Sequence, residues 1–452
     1  MIWLPGLIVA LLILATDFIS PQPVAMAQQH VLLGIFCLAL APGFAMLQSW
    51  VTVRRWSNRP IQSHRAVFLH RSLMGSNFLV WLFGCVAMLL MAKWPQLIRE
   101  NWQFDRVPLL DEVALALPMI ASLLLSWVLI FDAEKTLNQV SHASRRGLAS
   151  QRVRTFVGLV LVPVLLLFLG RDVARLVFPD GLTPVATCLS FAGFVFLLVN
   201  LYPMILSLTW RTRAIEDAQL NDLLSRTATD AGMPNEKFLC WATDGTVTNA
   251  LVVGLLPRLR RVFFSDQLLE RFSHQEIAAI YRHELGHIVY RHLMMRLALI
   301  LVPLITLCVM ALVFKAEVSV EYASSTIPFA VFLLVIVGFF YYANVVVANF
   351  VRKSEIQADM FAITDRRGIV NLQHARDYCD ALLKLAASSP ELYEHSTLVH
   401  PSIKLRLAIL RQVMDSPDSI SRFHRKFHKD QQVAAICLFS LVMVAVLLNT
   451  MI

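Results

Sequence analysis

Stretches of about 20 apolar residues recur along this 452-residue chain, and no other feature limits its fold so strongly. A run of that length spans the ~30 Å hydrocarbon core of a bilayer at a helical rise of about 1.5 Å per residue. Inside lipid the backbone has no water to bond to, so such runs are helices. Spans are read near residues 2–15, 31–50, 73–91, 113–131, 156–177, 184–208, 297–314, 327–350 and 433–451. With 57% hydrophobic residues the chain is too apolar for a soluble protein of this length. The first run is short and contains Pro5, and Ala25-Met26-Ala27 resembles a signal-peptide cleavage site. No Lys or Arg precedes that run, so it is read as an uncleaved span.

Charge orients the bundle. Residues 51–72 carry Arg54, Arg55, Arg59, Arg65 and Arg71 with no acid, and residues 133–154 carry Lys135, Arg145, Arg146, Arg152 and Arg154 against Glu134. The alternate connections are nearly balanced: Lys93, Arg99 and Arg106 face Glu100, Asp105, Asp111 and Glu112. Positive loops stay in the cytoplasm, so both polar segments, 211–296 and 351–432, are expected inside, in the plasma (inner) membrane. The net charge of +9 is then mostly topology. No basic stripe with interleaved aromatics points to nucleic acid. Arg258, Arg260 and Arg261, and the run from Arg422 to Lys429, are expected to meet lipid headgroups.

Three parts follow: a six-span block over 1–210, a polar domain over 211–432 that takes in two spans, and a last span over 433–452. In the polar domain, 211–235 reads as a weakly amphipathic helix with Ile215, Ala218 and Leu223 near one face, closed by Gly232-Met233-Pro234. Strands are expected around 237–241, 247–253 and 261–264. The seven cysteines contain no CxxC and read as free thiols.

The chemistry lies at His283-Glu284-Leu285-Gly286-His287. Two histidines four apart share one helix face and can converge on one metal ion. Zinc at such a site lowers the pKa of bound water to about 7, and the intervening glutamate can take that proton as water attacks a peptide carbonyl. The pentad is short enough to occur by chance, so its context decides. Ser273 and Glu276 form a capping box that starts a helix just upstream. That helix is expected to run unbroken from Ser273 into the span ending near 314, since no Gly or Pro lies between Ile288 and Val302.

A third ligand is needed. The HExxHxxGxxH solution fails, because Tyr290 and Leu293 occupy its last two positions. Downstream, Glu355-Ile356-Gln357-Ala358-Asp359 puts two carboxylates one turn apart. Glu355 can complete a His2Glu set with an open fourth position, and Asp359 can hydrogen-bond a ligand imidazole. One Zn2+ per chain is expected on His283, His287 and Glu355, with Glu284 as general base. His400, in His400-Pro401, can donate to the developing oxyanion or serve structure alone.

Taken together, these residues resemble the membrane-embedded zinc proteases that include the CAAX prenyl proteases and HtpX-like proteases, over about 211–414. Thr248-Asn249-Ala250 with Gly254 is similar to that family's strand motif before the zinc helix, and Asn249 and Ala250 are candidates for a substrate-binding strand. His292, His400-Pro401 and Arg406 match later motif positions. The resemblance implies a gluzincin endopeptidase at the membrane surface. Six spans ahead of the polar domain exceed what it leads one to expect, so the substrate is not carried over. The expected fold is mainly α: a polytopic membrane protein of about nine transmembrane helices with a cytoplasmic α+β zinc metalloprotease domain. Its partners are the lipid bilayer and protein or peptide substrates. Two activities remain open: an endopeptidase cutting membrane or membrane-proximal proteins, and a signal-sensing receptor whose protease domain cleaves a cytosolic regulator.

Overall fold

The computed structural model describes residues 3–16, 23–59, 61, 63–137, 144–178, 184–234, 236–245, 247–317, 338, 341–388, 390–397 and 400–450. Helices dominate. Among the described residues, five are long and apolar enough to cross a membrane: Ala27–Trp56, Arg65–Leu90, Leu110–Thr136, Arg145–Ala174 and Ala192–Thr209. Each carries one of the expected runs between 31 and 208. A sixth candidate is a bent pair, His274–Val289 with His292–Pro303. The first run forms a helix of only 13 residues, Trp3–Ala15, about 20 Å long and short of the hydrocarbon core. The run at 433–450 lies on the helix Asp418–Thr450. Most of the expected span 327–350 falls outside the described residues.

Two compact units emerge. One comprises Met1–Gly181 with Asp244–Thr246, the other Leu182–Thr243 with Val247–Ile452. In the first, Cys37, Trp81, Met88, Leu115, Met119 and Phe156 form the centre of an apolar core. Polar groups inside it are paired: Trp81 Nε1 donates to the Met119 carbonyl at 2.9 Å, and Asn77 Nδ2 to that of Ala41 at 3.1 Å. Glu134 is buried yet accepts from Arg152 at 2.8 Å and lies 3.1 Å from His70 Nε2, as a buried charge requires. Leu32, Phe36, Leu79 and Phe83 point outward on the same helices, an apolar exterior suited to lipid rather than water.

The second unit contains a four-stranded sheet of order β1-β2-β4-β3, with β1 Thr212–Ala214, β2 Phe238–Trp241, β3 Ala250–Val253 and β4 Arg261–Ser265. β2 and β4 run parallel, while β1–β2 and β3–β4 are antiparallel. Central β4 buries Val262, Phe263, Phe264 and Ser265, as a strand covered on both faces should. β3 is an edge strand. Ser265 N–H donates to the Asn249 carbonyl, at the start of β3. With side groups alternating along the strand, Leu251 and Val253 therefore bond toward β4, and Ala250 and Val252 turn their N–H and C=O groups away from it.

Two expectations for this region are corrected. Residues 211–235 are not one helix: β1 comes first, and the helix is Ala218–Asp230, capped by the Asp217 side chain on Leu220 N. Its buried face is Leu220, Leu224, Thr227 and Ala228, packed on β4 and the pentad helix, whereas Ala218 is exposed. Pairing with β2 outweighs the weak helical periodicity of the first residues. Arg260 is no headgroup contact either. It is buried and donates to Glu236 at 2.8 Å and to the Gly254 and Leu255 carbonyls.

Candidate active site

The pentad helix, His274–Val289, begins with the capping box read from the sequence: the Ser273 side chain accepts from Glu276 N, and the Glu276 side chain accepts from Ser273 N–H. Ile277, Ile280, Tyr281 and Leu285 anchor one side on the sheet. The other side lies against the carboxylate helix, Ala348–Ala362. Gly286 makes the approach possible, because a Cβ there would stand 3.0 Å from Ala358 Cα and 3.1 Å from Phe361 Cβ. Side-chain bulk at this one position would separate the two helices that carry the motifs.

The pentad helix does not continue straight into the membrane run. It ends at Val289, and a new helix, His292–Glu317, starts after a bend of 49°. Arg291 takes a left-handed conformation, φ 55°, at the break. Such a residue costs about 1–2 kcal/mol without glycine, and no local signal announced it. What compensates lies in the tertiary structure: the bend turns His292 back so that its Nδ1 sits 2.8 Å from His287 Nδ1. On a straight helix, five residues at about 100° each would put the two side chains on different faces.

His283 Nε2 and His287 Nε2 approach to 3.2 Å, and the Glu355 carboxylate oxygens lie 3.5 and 3.3 Å from them. Among the described residues, these three side chains form the cluster able to hold a metal ion, with one donor atom each within 4.8 Å of the others. The other nitrogen of each ring is already taken. His283 Nδ1 is 2.9 Å from both Asp359 Oδ1 and Tyr378 Oη. Arg406 clamps Asp359 through Nε at 2.9 Å and Nη2 at 2.6 Å, and Tyr378 Oη donates to it at 2.7 Å. The two Nε2 lone pairs and a carboxylate thus converge from backed-up rings, which fits a divalent cation of the zinc type.

Electrostatics agree with that fit. Burial works against a charge on His283, yet hydrogen bonds to Asp359 and Glu355 raise it to about 9. Burial would raise Glu355, but contacts with His283 and His400 hold its carboxyl well below the ordinary range. The same burial pulls His287 well below its usual value and His292 to about 4. Glu355 thus stays ionised where the donors converge, while burial keeps His287 and His292 neutral. Glu284 responds the opposite way: burial, reinforced by the charge of Glu355, raises its carboxyl, which also accepts from the backbone of Val252 on β3.

His400, half-exposed, reaches the site from the turn before the helix Ile403–Asp415 and places Nδ1 2.8 Å from Glu355 Oε2. Asn249 is exposed at the head of β3, where its N–H donates to Ser265 Oγ at 3.0 Å. Three residues now stand at the site that motif reading had not assigned there. Tyr378 comes from the helix Leu372–Ser388 with no pattern around it. Arg296 Nη2 donates to Glu355 Oε1 at 3.2 Å. Gln357 lies inside the ExxAD segment but contacts His292, its Oε1 2.9 Å from Nε2. Arg406 and His292 had motif positions but no assigned contact.

Residues 214–414 match the sequence model of Peptidase family M48. The crystal structure of S. mikatae Ste24p is similar with a TM-score of 0.52 at 15% sequence identity, over 86% of this chain and 100% of that chain. The shared fold therefore extends well beyond residues 214–414 and into the N-terminal helices. Residues 214–414 thus carry a match to Peptidase family M48, and the likeness to Ste24p is one of fold.

Proposed function

We propose that the chain is a zinc-dependent endopeptidase that hydrolyses peptide bonds of membrane or membrane-proximal proteins, with its active site on the cytoplasmic side. The observation that carries this reading is the convergence of His283, His287 and Glu355 beside Glu284, which contacts the edge strand β3. These three side chains would hold one zinc ion. When bound, zinc supplies Lewis acidity, polarising a carbonyl and acidifying water. Glu284 takes the proton from the attacking water and returns it to the leaving amine, a role suited to a carboxylate whose burial raises its basicity. Asp359, held by Arg406, keeps His283 with its proton on Nδ1 and its lone pair on Nε2. A peptide entering as an added strand would pair with the outward groups of β3 at Ala250, beside Asn249. His400 donates its Nδ1–H to Glu355, so it would donate from Nε2 to the oxyanion of the tetrahedral intermediate only when both ring nitrogens carry hydrogen.

Glu284→Gln tests the proposal. It keeps the size of the side chain and removes the base. Zinc content and folding should stay near wild type while peptide turnover falls by ~10²–10⁴-fold. Undiminished turnover in the variant would rule out this mechanism, and joint loss of zinc and activity would make Glu284 a structural residue.

A further inference from the structure

The mechanism leaves one buried polar chain unused. His287 Nδ1 and His292 Nδ1 are 2.8 Å apart, and His292 Nε2 is 2.9 Å from Gln357 Oε1. His292 and Gln357 are buried, at 1% and 6% exposure, and the Tyr290 ring stacks over His292 with centroids 5.8 Å apart. Water has little access to substitute for either partner.

We infer that Gln357, acting through His292, locks His287 in the one tautomer that presents an Nε2 lone pair to the metal. The inference rests on the metal site proposed above. Its logic is a count of protons. A neutral imidazole carries one N–H and one lone pair. The Gln357 carbonyl oxygen only accepts, so His292 must hold its proton on Nε2. Its Nδ1 is then an acceptor, and the single hydrogen in the 2.8 Å contact belongs to His287 Nδ1. His287 Nε2 is left with its lone pair, directed at His283 Nε2 and Glu355. Turning the Gln357 amide round reverses every step. The amide N–H₂ would donate to His292 Nε2, the proton would move to His292 Nδ1, and His287 would carry its hydrogen on Nε2, unable to ligate.

The two ligand histidines are thus oriented by different means. His283 faces a carboxylate pinned by an arginine, which can only accept. His287 depends on a neutral amide one imidazole away. The left-handed Arg291 is part of this device, because the break it makes is what brings His292 to His287. Backbone strain held in place beside a site is an arrangement that structure retains only when its surroundings enforce it.

Gln357 and His292 are therefore positioning residues, and substitutions that differ in hydrogen-bonding sense test them. The measurement is the zinc affinity of the purified full-length protein by chelator competition, with thermal unfolding of the metal-free form as the folding control. Gln357→Glu has the same shape and can only accept. It should hold zinc as tightly as wild type, within about threefold. Gln357→Met has similar bulk and offers only a weak thioether acceptor. It should lose about 10–100-fold in affinity, the usual effect of removing a partner behind a metal ligand. Gln357→Leu serves in its place if the methionine variant does not fold. In a His292→Phe background, changing Gln357 to Met should add nothing further, since the chain is already broken. A packing role predicts the opposite order, with Met tolerated and a buried Glu damaging, and that order would overturn the inference. Wild-type protein that binds no zinc would instead defeat the metal-site reading. Zinc bound equally by wild type and Gln357→Met would defeat this inference alone.

Discussion

Gly286→Ala sets two effects against each other at the contact between the motif helices. Alanine favours a helix interior over glycine by about 1 kcal/mol. The new Cβ, however, would lie 3.0 Å from Ala358 Cα, 3.1 Å from Phe361 Cβ and 3.3 Å from Ala358 Cβ. Carbon atoms pack best at about 3.5–4.0 Å, so the helices must part by roughly 0.5–1 Å, and overpacking of that kind costs about 1–3 kcal/mol. The net change in stability is small, from about zero to about 2 kcal/mol of loss. The metal site feels the shift more. Glu355 sits one turn from Ala358 and would supply the third donor of the proposed site, its oxygens lying 3.3 and 3.5 Å from the histidine nitrogens. Constellations of this type tolerate about 0.5 Å of displacement, and 1 Å of misplacement costs about 10²-fold in rate. Zinc affinity and turnover should fall by about 10–100-fold while the unfolding temperature moves by only a few degrees. Chelator competition, peptide turnover and thermal unfolding on one preparation check this. Affinity and turnover both within twofold of wild type would show that the helices absorb the methyl group without moving Glu355.

Two further outcomes are expected. Arg406→Met leaves the Asp359 carboxylate buried without its cation and should cost about 3–5 kcal/mol at pH 7; burial raises the Asp359 carboxyl but Arg406 more than offsets it and holds it below the ordinary aspartate range, so the deficit should shrink as pH falls below about 4 in urea titrations, and a pH-independent deficit would refute the pairing. A cysteine placed at Lys404, whose side chain is exposed, should react with a membrane-impermeant maleimide only after the cytoplasmic face is opened, and labelling of intact cells from outside would reverse the proposed topology.

Local rules written into the sequence went furthest where a side chain acts on its own helix. Ser273 and Glu276 close their capping box within four residues, and the spacing of His283 to His287 and of Glu355 to Asp359 puts each pair on one face. The geometry that joins the pairs was out of reach of such rules. Tyr378 reaches His283 from 95 positions away on a helix whose pattern speaks only of burial. The break at Arg291 contradicts local preference, which favours a continuous helix, and is explained by the contact of His292 with His287 rather than by any breaker residue. β1 is three residues long, too short for a period-2 pattern to emerge from the amphipathic segment that follows. Where tertiary partners outweigh local propensity, only the folded chain reveals them.

The bend also has a mechanical meaning. Regard Tyr290 and Arg291 as a fulcrum, with His292–Pro303 as the long arm and the turn back to His287 as the short one. At about 1.5 Å per residue the arms measure roughly 18 Å and 6 Å. A tilt of about 5° about that point would carry the far end some 1.5 Å but would shift the ligand end by only about 0.5 Å. If the two arms move as one rigid piece, a bilayer that thickens, thins or leans on the apolar arm would be geared down about threefold before its motion arrived at the histidines.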